Sequence, residues 1–217
     1  MDGVLADFAA TYYDIAARLF GPAAAPAADD PDVEPAERAS AEISESRDSR
    51  RRDDAVWAAI RDTPDFWVTL NPMHPDAVRR IHEMMLRHPW EVFFITQRPA
   101  TAGDTVQRQT QRWLVQQGFD LPSVLVIAGS RGAAAGALRL DYHVDDSPQN
   151  CLDVKADSTA KPLLIVNDDP RTSTSARNLG IGTARSIGEA LDVLDRATIE
   201  RANPRLLARI ASKVGWR

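Results

Sequence analysis

Glu91-Val92-Phe93-Phe94-Ile95-Thr96-Gln97-Arg98-Pro99 is a short apolar run that ends in polar residues and a proline. A run this short, apolar at successive positions and closed by polar groups, predicts a strand buried on both faces that delivers its last residues to a carboxyl-terminal edge. Upstream, residues 75–87 place Ala77, Val78, Ile81, Met84 and Met85 on one helical stripe, with Pro75 at the first turn. Downstream, a helix is expected over about 103–117, burying Val106, Trp113 and Leu114. A β-rich run follows at 123–128, then a short helix at 133–138 and a strand at 142–144 that runs into Asp145-Asp146. A further strand at 163–166 ends at Asn167-Asp168-Asp169, and 186–194 reads as an amphipathic helix. Such alternation predicts an α/β fold, a parallel sheet with helices on both faces. In such sheets ligands collect outside the carboxyl ends of the strands, where Asp2, Thr96, Arg131 and the Asp145-Asp146 pair are expected to converge.

Toward the amino terminus the pattern changes. Residues 9–20 carry Tyr12, Ile15, Ala16 and Leu19 at helical spacing, and Gly21-Pro22 stops them. Residues 21–54 shift to Ala, Pro, acids and the run Arg50-Arg51-Arg52, with too few large apolar residues for a core, so a mobile insertion, helical in part, is expected. Trp57 and Phe66-Trp67-Val68 restore enough apolar mass for a small helical cap. The expected division is a core of residues 1–20 and 71–196, a cap or insertion at 21–70, and a helical tail at 197–217 interrupted near Pro204. No internal repeat is present.

With 31 acidic against 26 basic residues and a net charge of -5, the 217-residue chain has no broad basic field to hold an extended nucleic acid. The single cysteine, Cys151, excludes an internal disulfide, and no Cys/His spacing suits zinc. No apolar run approaches the ~20 residues a membrane helix needs, and acids stand where a secretory signal carries basic residues. These features imply a cytoplasmic protein.

Three ordered motifs, Asp2-Gly3-Val4-Leu5-Ala6-Asp7-Phe8, Phe94-Ile95-Thr96 and Asp145-Asp146-Ser147-Pro148-Gln149-Asn150, resemble the haloacid dehalogenase-like phosphatases, most nearly their 5'(3')-deoxyribonucleotidase branch. The resemblance runs from Met1 to about Asn150. It implies a Rossmann-like sheet with a small helical cap, the first strand missing, and magnesium-dependent phosphomonoester hydrolysis through an aspartyl-phosphate. A carboxylate nucleophile divides that hydrolysis into two easier steps, and magnesium with oxygen ligands gathers the charge. By this resemblance Asp2 is the general acid/base and offers its carbonyl to Mg2+, Thr96 holds a phosphoryl oxygen with Gln97 beside it, and Asp145 and Asp146 anchor the metal. Phe8, Trp67 and Val68 match positions that form an apolar pocket against a base, and a nucleoside monophosphate is the expected small-molecule partner. Packing between cap and core is the alternative for Trp67 and the leading reading for Phe8, and a solvated turn before Ser147-Pro148 is the alternative for the acidic pair.

The chain departs from the family in two places. Its lysines, Lys155, Lys161 and Lys213, all follow the acidic pair, so Arg131 is the candidate for the phosphate-neutralising base usually supplied by lysine. The position of the attacking aspartate falls ahead of Met1, which suggests an internal methionine taken as a start; residues 1–217 would then be inactive. The alternatives are a non-catalytic relative that binds a phosphorylated ligand or a protein, and a helical interaction module built on the insertion and tail. His143 reads as structural, Asp168-Asp169 as a turn rather than a second acidic rim, and the Arg50-Arg51-Arg52 run as a solvated helix start.

Overall fold

The computed structural model describes residues 1–21, 35–88, 90–167, 169–200 and 213–215. The elements run α1 (Phe8–Phe20), α2 (Pro35–Asp62), a 3-10 turn (Phe66–Val68), α3 (Ala77–Arg87), β1 (Phe93–Thr96), α4 (Val106–Gln116), β2 (Ser123–Val126), α5 (Arg131–Ala137), β3 (Tyr142–Asp145), α6 (Pro148–Asp157), β4 (Lys161–Ile165), α7 (Pro170–Asn178), β5 (Gly182–Ala184) and α8 (Ile187–Ile199). This is a mixed α/β chain with small parallel sheets, compatible with a Rossmann-like arrangement.

Helix starts are fixed by side chains that accept the free backbone N–H groups of the first turn. Asp7 accepts from Ala10, Thr105 from Arg108, Ser147 from Asn150, Asp169 from Arg171 and Ser186 from Glu189. Pro148 and Pro170 occupy first-turn positions, where a missing N–H removes no helical bond. Helix α6 starts soon after Asp146, and α7 follows a turn in which Asp169 N–H donates to the Val166 carbonyl at 2.8 Å, the turn expected of the acids before Pro170. Helix α2 runs without a break through Arg50-Arg51-Arg52, so that run lies inside a helix and not at its start. Tyr12 of α1 donates to Asp53 Oδ1 of α2 at 2.8 Å, which ties the two together. Asp168, residues 22–34 and nearly all of the expected tail helix lie outside the described residues.

Every strand pair is parallel, as expected, but the sheet is divided. β1 pairs with β2, with Phe93 opposite Ser123 and Thr96 opposite Val126. β3, β4 and β5 form a second group, with Asp145 opposite Leu164 and Ile165 opposite Ala184. Between β1 and β3 lies a cavity of about 480 Å³ lined from both strands and floored by Leu191 of α8 and Ile81 of α3. Two smaller hydrophobic clusters form around Cys151 and around Val154, and one larger cluster joins the expected cap to the expected core. Val56, Ile60, Phe66, Trp67 and Leu70 of the expected cap share it with Trp113, Leu114 and Leu163 of the expected core. Cap and core therefore bury their apolar surface against each other.

Candidate functional site

The opening residues form a closed loop in place of a strand. The Met1 carbonyl accepts from Leu5 N–H at 2.8 Å, and Gly3 N–H donates to Ala6 at 3.0 Å. Residues 71–73 hold the loop's far side, through Asp7 N–H to Asn71 and Met73 N–H to Leu5. Gly3 has φ +72°, and a Cβ there would collide with the Asp146 carboxylate. Only glycine allows both the left-handed turn and that close approach.

This loop brings Asp2, Asp145 and Asp146 together around the buried Met1 amino group. Burial lowers the pKa of that ammonium and the three surrounding carboxylates act in the opposite direction. Asp2 is held by Arg98, whose Nε reaches Oδ2 at 3.0 Å and whose Nη2 reaches Oδ1 at 2.5 Å. The guanidinium also donates to Thr110 Oγ1 at 3.0 Å and lies 4.8 Å over the Trp67 ring. A fork on a carboxylate, backed by an aromatic face, fixes Asp2 in direction as well as position.

Asp145 ends β3 and is buried. Burial opposes its ionisation, but hydrogen bonds from His143 Nε2 (3.2 Å), Asn150 Nδ2 (3.0 Å) and Ser147 N–H (2.9 Å), aided by the Met1 charge, hold its pKa down to about 2. Asp146 keeps a solvent-facing side, yet its carboxylate presses on Gly3; that partial burial, followed by the Asp145 charge, raises its pKa. Two neighbouring carboxylates thus sit in unlike electrostatic states.

A folded-state pKa below the unfolded value stabilises the fold above the unfolded pKa, and that stability is lost as pH falls through the folded one. Asp145, depressed from 3.8 to about 2, is expected to contribute about 2 kcal/mol above pH ~4 that disappears toward pH ~2. Urea unfolding of the parent and of Asp145→Asn across that window checks this. The variant should be the less stable above pH ~4, and the difference should shrink on acidification; a gap independent of pH overturns it.

Thr96 and Arg131 stand at the same, carboxyl-terminal side of the strands. Thr96 closes β1 and is 1% exposed, and Arg131 begins α5 after β2 and is 9% exposed. Thr96 Oγ1 and Arg131 Nη1 are both buried without a hydrogen-bond partner, a property shared among the described residues only by His82 Nδ1 and Glu200 Oε2. Buried polar atoms are almost always paired, so each of these two, one at the end of β1 and one at the start of α5, has bonding capacity that a bound group could take up. Gln97 is exposed beside them.

The aromatic candidates lie next to the Asp2–Arg98 pair. Phe8, half-buried, stacks on Trp57 at 5.5 Å and meets Trp67 at 5.6 Å. Trp67 is 1% exposed, donates from Nε1 to the Pro99 carbonyl, and accepts Arg98 on its face. It therefore builds the wall, while half-buried Phe8 and Val68 keep accessible edges.

Arg98, Asn150, Trp57 and the buried Gln109 were not singled out from sequence, and His143 was read as structural. Arg98 carried one available signal, a cation two residues past a strand end and directly before a proline. His143 faces Asp145 because residues two apart in a strand share a face.

No group of three His, Cys, Asp or Glu side chains able to hold a metal is present among the described residues. Magnesium, however, is commonly bound through one or two carboxylates with waters and phosphate oxygens. The ionised Asp145 beside Asp146 meets that smaller requirement. No helix among the described residues is long and apolar enough to cross a membrane. The fold is a mixed α/β chain in which Asp2, Asp145 and Asp146 gather at the carboxyl end of β3. No family model, curated protein or solved structure matches the chain.

Proposed function

We propose that the protein is a magnesium-dependent phosphomonoesterase of the haloacid dehalogenase-like kind, a cytoplasmic 5'-nucleotidase or deoxyribonucleotidase acting on nucleoside monophosphates through an aspartyl-phosphate. The observation that supports this most directly is the pair of unpartnered buried groups, Thr96 Oγ1 and Arg131 Nη1, on the same side of the strands as the acids. In this reading the two bind phosphoryl oxygens, with Gln97 at the rim. Asp145, Asp146 and the Asp2 carbonyl would hold magnesium, which when bound neutralises phosphoryl charge. Asp2, aimed by Arg98, gives a proton to the leaving oxygen and later takes one from water. Phe8, Val68 and the wall built by Trp67 form the apolar side against a base. No carboxylate among residues 1–217 is assigned the attacking role in this reading.

Residues 1–217 are accordingly expected to release phosphate from deoxynucleoside monophosphates at the background rate, and the same residues preceded by a strand ending in Asp to do so with magnesium. Phosphate release assays on both chains, with Asp145→Asn in each, provide the check. Turnover by residues 1–217 that Asp145→Asn abolishes overturns the covalent route. Silence from both chains, with nucleotide still bound, favours the non-catalytic phosphate-ligand reading.

A further inference from the structure

Helix α1 is apolar on the side turned away from the protein. Its inward stripe, Phe8, Tyr12 and Ile15, packs on the large hydrophobic cluster. An amphipathic helix carries polar and charged residues on the opposite stripe. Here that stripe is Ala9, Ala10, Tyr13, Ala17 and Phe20, all exposed. Tyr13 is 70% exposed, and Phe20, with Arg52 standing 5.7 Å over its ring, is still 44% exposed. Three of the nine large apolar side chains exposed among the described residues, Tyr13, Leu19 and Phe20, thus fall within this one helix. Scattered exposed apolar residues are ordinary, whereas a contiguous patch marks a contact surface.

The charges of α1 say what covers it. Only Asp14 and Arg18 are charged, and they stand one turn apart on the same flank of the apolar stripe. Arg18 Nε reaches the Asp14 carbonyl at 3.4 Å, and no salt bridge joins either side chain to another among the described residues. A patch with one charge of each sign, four residues apart, is complementary to its own reversed copy. When two α1 helices pack antiparallel about a twofold axis beside residue 16, positions 14 and 18 exchange places and both flanks turn to the same side. Asp14 of each copy then faces Arg18 of the other. In the same register Tyr13 enters the turn between Ala16 and Phe20 of the second copy, and the alanines let the backbones approach closely. A parallel pair would put the two charged flanks on opposite sides, where they do not meet.

We propose that the outward face of α1 is the surface through which two copies of this chain pair, antiparallel and twofold symmetric, with Tyr13 and Phe20 between the helices and two Asp14–Arg18 pairs along one side. Helix α1 has 13 residues, a length of ~20 Å. A contact of that length falls below the ~1,200 Å² of a standard interface, so the pairing is weak and set by protein concentration. Phe8 lies on the inward face and stays clear of the contact. The pairing is therefore independent of the phosphatase reading.

Sedimentation equilibrium of residues 1–217 from ~5 to ~500 µM covers the range in which so small a contact associates. The mass is expected to rise with concentration toward twice the 23.9 kDa of one chain. Tyr13→Glu, which puts a charge between the helices, is expected to weaken association about tenfold or more. Asp14→Arg and Arg18→Asp each set like charges against one another at both ends of the contact, and each alone is expected to lose about tenfold. An equal mixture of these two variants pairs a basic flank with an acidic one and should recover at least the parent affinity, an effect that ~0.5 M salt weakens. All three positions are exposed, so urea midpoints should stay at the parent value. A single species of one chain's mass at every concentration overturns the proposal and leaves the face to a partner of another kind. A dimer that Tyr13→Glu leaves intact overturns it too, as do charge variants that pair alone as the parent does or fail to recover when mixed.

Discussion

Asp2→Asn, made in a chain that carries the attacking aspartate ahead of Met1, is expected to lower kcat for a nucleoside monophosphate by ~10²–10⁴-fold, the range for losing a positioned general acid. An alcohol leaving group needs that proton, whereas a nitrophenolate leaves without it. The same variant should therefore release nitrophenolate from p-nitrophenyl phosphate in a first-turnover burst at close to the parent rate, and lose only the later turnovers, in which Asp2 takes the proton from water. Folding has to be followed in parallel, because Asp2 also neutralises Arg98, whose side chain is 1% exposed. Removing one partner of a buried ion pair costs ~3–5 kcal/mol; Asp2 is itself 30% exposed, so the lower end of that range is expected. Kinetics at a temperature where urea unfolding shows the variant folded separate the two effects. An equal loss of first-turnover rate on both substrates would assign Asp2 to positioning rather than to proton transfer.

The pairing of Asp2 with Arg98 could not be read from the chain, because the two lie 96 residues apart. What was legible was local. Apolar runs at 93–96 and 142–145 became parallel strands, and the stripe Ala77, Val78, Ile81, Met84 became the buried face of α3. The polar strand endings Thr96 and Asp145 followed from those assignments. Helices α6 and α7 were not anticipated: proline after Ser147 and after Asp169 punctuates a turn as readily as it starts a helix, and the capping side chain decides between them. Gly182-Thr183-Ala184 is too short and too small in side chains to stand out as a strand, and is one only because Leu163 to Ile165 pair with it. Residues 35–54 were expected to be helical only in part, for want of apolar residues, yet alanine, glutamate and arginine are strong helix formers, and α2 runs through them to the buried Val56 and Ile60.

Trp67→Ala is expected to give one of the larger stability losses available in this protein, and it decides between the two readings of that residue. The side chain is 1% exposed, and it contacts the Phe8 and Phe66 rings at 5.6 and 5.0 Å and supports Arg98 at 4.8 Å. Its Nε1 satisfies the Pro99 carbonyl at 3.0 Å. Truncation removes a large apolar volume and leaves a cavity between cap and core, for which ~3–5 kcal/mol is the usual loss. Trp67→Phe keeps most of the volume and the cation–π face but loses the hydrogen bond, so ~1–2 kcal/mol is expected. Urea midpoints with unchanged slopes would measure both. If Trp67 acts as wall, Trp67→Phe leaves the KM for a nucleoside monophosphate within about twofold, since its face is already occupied by Arg98; a tenfold rise, ~1.4 kcal/mol of lost binding, would instead place the ring against the base. Phe8→Leu should then show the complementary pattern, a modest stability change with the larger effect on KM, because that half-buried ring has an open edge and Trp67 does not.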